Sequence, residues 1–128
     1  FLSKKTMTIK VHYDMYHGYG ELDKAIELLD DQNREGFRNF VNTQGSFNAN
    51  NIFICKSPKL YGDYCDVLFK WLKNCEELFG FDKTREYSRI RVYAFLAERF
   101  LSYWFKKNSN YTLWPLKFHD ITNYKSNF

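Results

Sequence analysis

The sequence predicts an α+β domain, predominantly helical, with two or three short strands. The helices follow from apolar residues recurring at helical spacing, and from capping residues and glycines that bound those stretches. The strands follow from Asn51-Ile52-Phe53-Ile54-Cys55, a short apolar run closed at both ends by turn-forming residues. A length of 128 residues suits a single domain or part of one.

Residues 1–7 are a lead-in segment. Thr8 caps a helix over residues 9–17, in which His12 pairs with Tyr16 and Tyr13 with His17. Gly18-Tyr19-Gly20 breaks it. A second helix, 21–31, has Leu22, Ala25, Ile26, Leu28 and Leu29 on its apolar side, and Glu21 and Asp23 at its positive N-terminus. A third, 34–42, buries Phe37, Phe40 and Val41. Residues 43–50 are polar and form a loop, and 51–55 are a buried strand. Ser57 and Pro58 then open a helix as cap and first residue, and Gly80 ends it. The last helix covers 84–107, with Tyr87, Ile90, Ala94, Ala97, Leu101, Trp104 and Phe105 on one broad face. After a turn at 107–110, residues 111–118 have strand character, interrupted by Pro115 as in an edge strand. The remaining tail is polar.

A lone buried strand needs partners, and the chain begins with Phe rather than Met. It therefore reads as a piece of a longer polypeptide whose preceding segment would supply them.

Composition narrows the function. The net charge of +4 is spread over 19 basic and 15 acidic residues with no basic stripe, which argues against nucleic acid as a partner. It is compatible with a phosphorylated ligand, or with peripheral association at an anionic membrane surface. No apolar run is long enough to span a membrane, and the first residues lack a signal-peptide core. Cys55, Cys65 and Cys75 are odd in number and far apart, so free thiols are expected rather than disulfides. No His or Cys spacing makes a metal-ligand set.

Inside the last helix, Arg91 and Glu98 stand seven residues apart, two turns, at the edge of the apolar face, and Ser102 continues that stripe. Two readings stay open: an ion pair bordering the core, or an active-site carboxylate with an arginine neighbour. Glu21 and Asp23 supply two hard oxygens suited to Mg²⁺ or Mn²⁺, or they complement the helix dipole. His17, beside the glycine bend, suits a hydrogen bond to a sugar hydroxyl or phosphate, or packs at the surface. Asn51 suits a ligand contact or satisfies loop backbone. His119-Asp120 has no nucleophile beside it and reads as surface.

Several stretches together resemble one family. They are Ser3-Lys4-Lys5, Thr8, Tyr13, His17 and Glu21-Leu22-Asp23; the run 51–55; Tyr61 and Tyr64-Cys65-Asp66-Val67-Leu68-Phe69; and Arg91-Val92-Tyr93-Ala94-Phe95-Leu96-Ala97-Glu98-Arg99-Phe100-Leu101 with Trp104. In order and spacing they are similar to the bacterial capsular-polysaccharide and O-antigen glycosyltransferase domain catalogued as domain of unknown function 4422. The match covers residues 3–105, about the second half of that domain. The family's His-Tyr-Arg-Arg-type segment is not in this sequence. Glu21 stands where the family has Asp, Ala94 where it has Gly, and Ile52 and Cys55 where it has Met.

The resemblance implies the C-terminal part of a GT-A-like α/β glycosyltransferase domain. Its activity would be transfer of a sugar, galactofuranose in some members, from a nucleotide-sugar donor (a UDP-sugar) to a glycan or lipid-linked acceptor. It implies a cytoplasmic location, at the inner face of the cytoplasmic membrane, and leaves Mg²⁺ or Mn²⁺ dependence open. By position, Glu98 is the candidate base or acceptor ligand, with Arg99 and Arg91 orienting it or neutralising phosphate; Tyr13, His17, Glu21, Asp23 and Asn51 would line the substrate site. The isolated 128 residues are not expected to turn over alone. The alternative is a non-catalytic helical module that binds a glycan or protein partner. Titration with UDP-sugars separates the two.

Overall fold

The computed structural model describes residues 7–81 and 90–115, and these form an all-α unit. Its helices are α1 (Ile9–His17), α2 (Glu21–Glu27), α3 (Asp31–Thr43), α4 (Pro58–Phe79) and α5 (Val92–Asn108). The expected α+β architecture, and with it the GT-A-like α/β form, is corrected: the described residues contain no strand.

The reason is visible at residues 51–55. Asn50 and Asn51 both take left-handed backbone, at φ 69° and 50°, which turns the chain. Among the described residues the run that follows has no neighbouring strand to accept a ladder, and an extended segment without one is not a sheet. Ile52 and Ile54 are 61% and 93% exposed, so the run is not buried either. Phe53 packs against Tyr64 and Phe105, at centroid distances of 5.8 and 5.1 Å, and Cys55 is half-buried. Residues 111–115 are likewise irregular, with Trp114 88% exposed. Residues 116–118 of the second expected strand lie outside the described residues, as do the lead-in 1–6, the helix start 84–89 with Tyr87, the tail and His119-Asp120.

Local capping sets the helix ends. Thr8 Oγ1 accepts from Val11 N at 3.3 Å, and α1 stops at Gly18, whose φ of 134° suits glycine. The expected 21–31 helix is shorter. Asp30 leaves helical geometry at ψ 155° and its carboxylate accepts from Asn33 N at 3.1 Å, so it starts α3 early. Ser57 Oγ accepts from Leu60 N at 3.2 Å, Pro58 opens α4 and Gly80 closes it, as expected. Helix α5 begins at Val92, with Arg91 preceding it at φ −101°, ψ 15°.

Helix α5 packs on α3 and α4, while α1, α2 and α3 pack on one another. Phe100 lies at the centre, 5.4 Å from Phe37 and 5.1 Å from Trp71 between ring centroids. Aromatic pairs of this kind add about 0.5–1.5 kcal/mol beyond their buried area. Trp71 Nε1 donates to Ala25 O at 2.6 Å and Asn74 Nδ2 to Leu28 O at 3.3 Å, so α4 caps the end of α2. The burial of α5 differs from the expected single face: Leu96, Ala97, Arg99, Phe100, Leu101, Ser102, Tyr103 and Trp104 are all buried, while Ile90 is exposed. A helix enclosed by others buries nearly its whole circumference. Cys55, Cys65 and Cys75 are free, and Cys75 is fully buried.

The loop between α3 and α4 crosses α5 as a strap. Asn48 N donates to Ser102 Oγ at 2.7 Å, Asn50 N to Glu98 Oε1 at 3.2 Å, and Asn51 Nδ2 to Ala94 O at 3.4 Å. Ala94, Glu98 and Ser102 are spaced by four, one stripe of the helix, so the loop follows that stripe.

Candidate functional site

Arg99 is the most unusual residue of the bundle, being 1% exposed. Its Nη1 donates to Phe95 O at 2.8 Å, and Nη2 stands 3.2 Å from His12 Nδ1. A guanidinium only donates, so His12 Nδ1 accepts and its proton sits on Nε2. The Tyr13 and Phe47 rings flank the guanidinium carbon at 4.9 and 4.7 Å. Arg99 Nε has no hydrogen-bond partner. Among the described residues no carboxylate forms an ion pair with it. Burial lowers its pKa, against the opposing effects of Tyr13 and Glu98, but an arginine remains charged near neutral pH.

The imidazoles and the phenol beside this cation are disfavoured in their charged forms. Burial, and then Arg99, lowers the pKa of His12. Burial, then Arg99 and His12, lowers that of His17 to about 4. His17 stacks on Phe95, with centroids 4.0 Å apart, and its Nδ1 is buried without a partner. Tyr13 is 0% exposed and its hydroxyl is also buried without a partner. Burial raises its pKa first, and the Glu21 charge adds to that. The site is therefore one buried positive charge, two imidazoles and a phenol, with Glu98 and Glu21 at its margin and three buried polar atoms, Arg99 Nε, His17 Nδ1 and the Tyr13 hydroxyl, unsatisfied among the described residues. Such groups are rare in folded proteins and call for a reason.

The structure brings together most residues selected from sequence. Tyr13 and His17 meet Arg99 and Phe95 between α1 and α5, with Tyr13 and His17 centroids 5.0 Å apart. Glu98, half-buried, and Asn51 hold the adjoining strap. Arg91 is exposed, its guanidinium 5.7 Å from the Phe95 ring centre, on the margin of the same corner. Glu21 folds back on the glycine bend, where a Cβ on Gly18 would come within 2.7 Å of its carboxyl carbon. Asp23 goes elsewhere: Lys10 pairs with it at 2.7 Å and with Asp14 at 2.8 Å, joining α1 to α2. Glu21 and Asp23 thus do not converge as ligands for Mg²⁺ or Mn²⁺, because a lysine already neutralises one of them. Among the described residues no three His, Cys, Asp or Glu group as metal ligands.

Sequence reasoning missed three members of the corner. His12 was read only as a ring partner of Tyr16, although that pairing is present at 4.9 Å. Phe95 stands four residues before Arg99, a spacing that could have suggested contact. Phe47 offered a weaker signal, a lone aromatic in a polar loop. A separate groove of about 410 Å³ runs between α3, α4 and α5, lined by Gln32, Asn33, Leu60, Asp63 and Lys107 among others. Lys107 there donates to Gln32 O at 2.6 Å and Asn33 Oδ1 at 3.1 Å. None of the candidate site residues Tyr13, His17, Glu21, Asp23, Asn51, Arg91, Glu98 and Arg99 lines it. No helix among the described residues is long and apolar enough to cross a membrane.

Comparison with known proteins found one family model. It is described as "Domain of unknown function (DUF4422)" and matches residues 2–109. No curated protein and no solved structure matched the chain.

Proposed function

This chain belongs to the DUF4422 family, and we propose that it is part of a glycosyltransferase. It would transfer a sugar such as galactofuranose from a UDP-sugar to a growing capsular or O-antigen polysaccharide. The observation that supports this reading is convergence. Tyr13 and His17 of α1 meet Arg99 of α5, with Glu98 and Asn51 holding the adjoining strap, around a buried cation that has no carboxylate ion pair among the described residues. A structural ion pair brings its own counter-charge; an anion site leaves that role to the ligand.

In the proposed reaction a base takes the proton of the acceptor hydroxyl, whose oxygen then bonds to the anomeric carbon of the donor. The bond from that carbon to the diphosphate breaks, and the nucleoside diphosphate leaves with the electron pair. Glu98 is the proposed base, half-buried on α5 with one oxygen accepting from Asn50 N. Arg99, with Arg91 at the margin, offsets charge on the departing diphosphate. Tyr13, His17 and Asn51 line the sugar site. The donor, and a glycan or lipid-linked acceptor, are the proposed partners, and the cytoplasmic face of the membrane is the proposed location.

A second reading, a non-catalytic binding module, is favoured by the Glu98–Asn50 bond, which gives Glu98 a purely structural task. Glu98→Gln separates the two, because a glutamine oxygen can still accept from Asn50 N. In the full-length enzyme with UDP-sugar and acceptor, the proposed base predicts a fall in kcat of about 100-fold or more with unchanged melting. Near-normal turnover would remove Glu98 from the chemistry and leave the module reading.

A further inference from the structure

Two buried donors at this corner lack acceptors among the described residues, and one aromatic ring lies on the Arg99 guanidinium. Arg99 Nε and the Tyr13 hydroxyl are inside the bundle with no partner. Phe47 lies on the guanidinium at 4.7 Å and edge-on to His12 at 6.4 Å. Phe47 belongs to no helix. Its loop is held to α5 through the Asn48, Asn50 and Asn51 hydrogen bonds, which can break without disturbing the packed core.

We infer that Arg99, His12 and Tyr13 form a receptor for one oxyanion, a phosphate or carboxylate group, which enters when the Phe47 ring moves aside. This names the ligand chemistry of the site proposed above. It rests on that reading only for the source of the oxyanion, a nucleotide diphosphate or an acidic sugar. The geometry suits the task. Phe95 O and His12 Nδ1 each occupy one terminal nitrogen of Arg99, whereas Nε–H is unused. Nε–H and the remaining N–H of the adjacent terminal nitrogen make a planar fork that matches two oxygens of one phosphate or carboxylate. The Tyr13 hydroxyl supplies a further donor.

Occupancy has a second signature. Among the described residues the titratable groups facing the corner are His12, Tyr13, Asp14, Tyr16 and His17 on α1, Glu21 on α2, Cys75 on α4, and Glu98 and Arg99 on α5. An oxyanion on Arg99 offsets the positive charge that disfavours protonated His12, so His12 should titrate at higher pH when the site is filled.

The test is calorimetry and histidine NMR on the full-length protein with UDP, inorganic phosphate and glucuronate as separate probes. The receptor predicts binding of at least one probe, an upward shift of the His12 titration, and faster association in Phe47→Ala. It also predicts affinity about tenfold or more weaker in Arg99→Lys, which keeps the charge and loses the fork. UDP alone would identify a diphosphate, glucuronate alone a sugar carboxylate, and equal binding of all three a bare oxyanion. If Arg99→Lys does not fold, Phe47→Ala and the His12 titration still decide. Absence of binding by all probes, or binding indifferent to Phe47 and silent at His12, overturns the receptor. Binding with these signatures but no sugar transfer would keep the receptor and remove the glycosyltransferase reading. Transfer with unchanged KM in both variants would do the reverse.

Discussion

His17 carries a pH dependence that follows from its position. It stacks on Phe95 and its folded pKa is about 4, against an ordinary 6.5. Between those values the unfolded chain holds a proton at this residue that the folded chain does not, so stability rises with pH across the window. The contribution is complete above pH 6.5 and is lost as pH falls toward about 4. Urea midpoints measured from pH 7 to pH 4 should fall, and His17→Phe, which keeps a ring against Phe95, should flatten the slope. An equal slope in both proteins would place the effect elsewhere. Much of this corner was legible locally: Tyr13 and His17 share a helix face, and Glu98 and Arg99 stand in one motif. The burial of Arg99 was not. It is created by Phe47, from a loop without periodicity, and by His12, from another helix, and neither contact has a local spacing that predicts it.

At the level of elements, short-range chemistry was readable and long-range pairing was not. Thr8, the Ser57-Pro58 start and Gly80 act within a turn of their own position, and each marks a helix end where expected. A strand, by contrast, is defined by a neighbour. The apolar run 51–55 shows a strand's composition, but its backbone turns at two asparagines and finds no ladder among the described residues. The boundary between α2 and α3 shows how one cap can outweigh a continuing apolar pattern. Asp30 Oδ1 accepts from Asn33 N at 3.1 Å, and the two Asp30 oxygens both accept from Asn33 Nδ2, at 2.9 and 3.0 Å. Asp30→Ala should therefore cost about 1 kcal/mol for the cap, and about 1–3 kcal/mol more for the stranded, buried Asn33 amide. Asp31→Ala removes only the exposed pair with Arg34 and should stay within about 0.5 kcal/mol. Chemical denaturation of both variants checks the contrast; similar losses would mean that the cap is not what starts α3.

Across the whole molecule, two kinds of attachment coexist. The bundle is locked by large side chains around Phe100, with Trp71, Phe37 and Tyr103 against it. The strap is fastened by polar contacts to one helix stripe and by the Phe47 and Phe53 rings. This division was beyond sequence patterning, because α5 looked like a helix with one buried face and is instead enclosed on nearly all sides. The cysteines happen to sample both regimes. Cys55 is on the strap and half-buried, whereas Cys75 is fully buried and burial pushes its thiol up to about 12. Alkylation kinetics should therefore separate two clocks on one chain. Pulse labelling followed by mass spectrometry is expected to modify Cys55 at the rate at which the strap lifts, in water, and Cys75 only as denaturant opens the bundle. If Cys55 and Cys75 react together, strap and bundle come apart as one; if Cys55 leads, the end of the strap that carries it moves while the bundle stays closed.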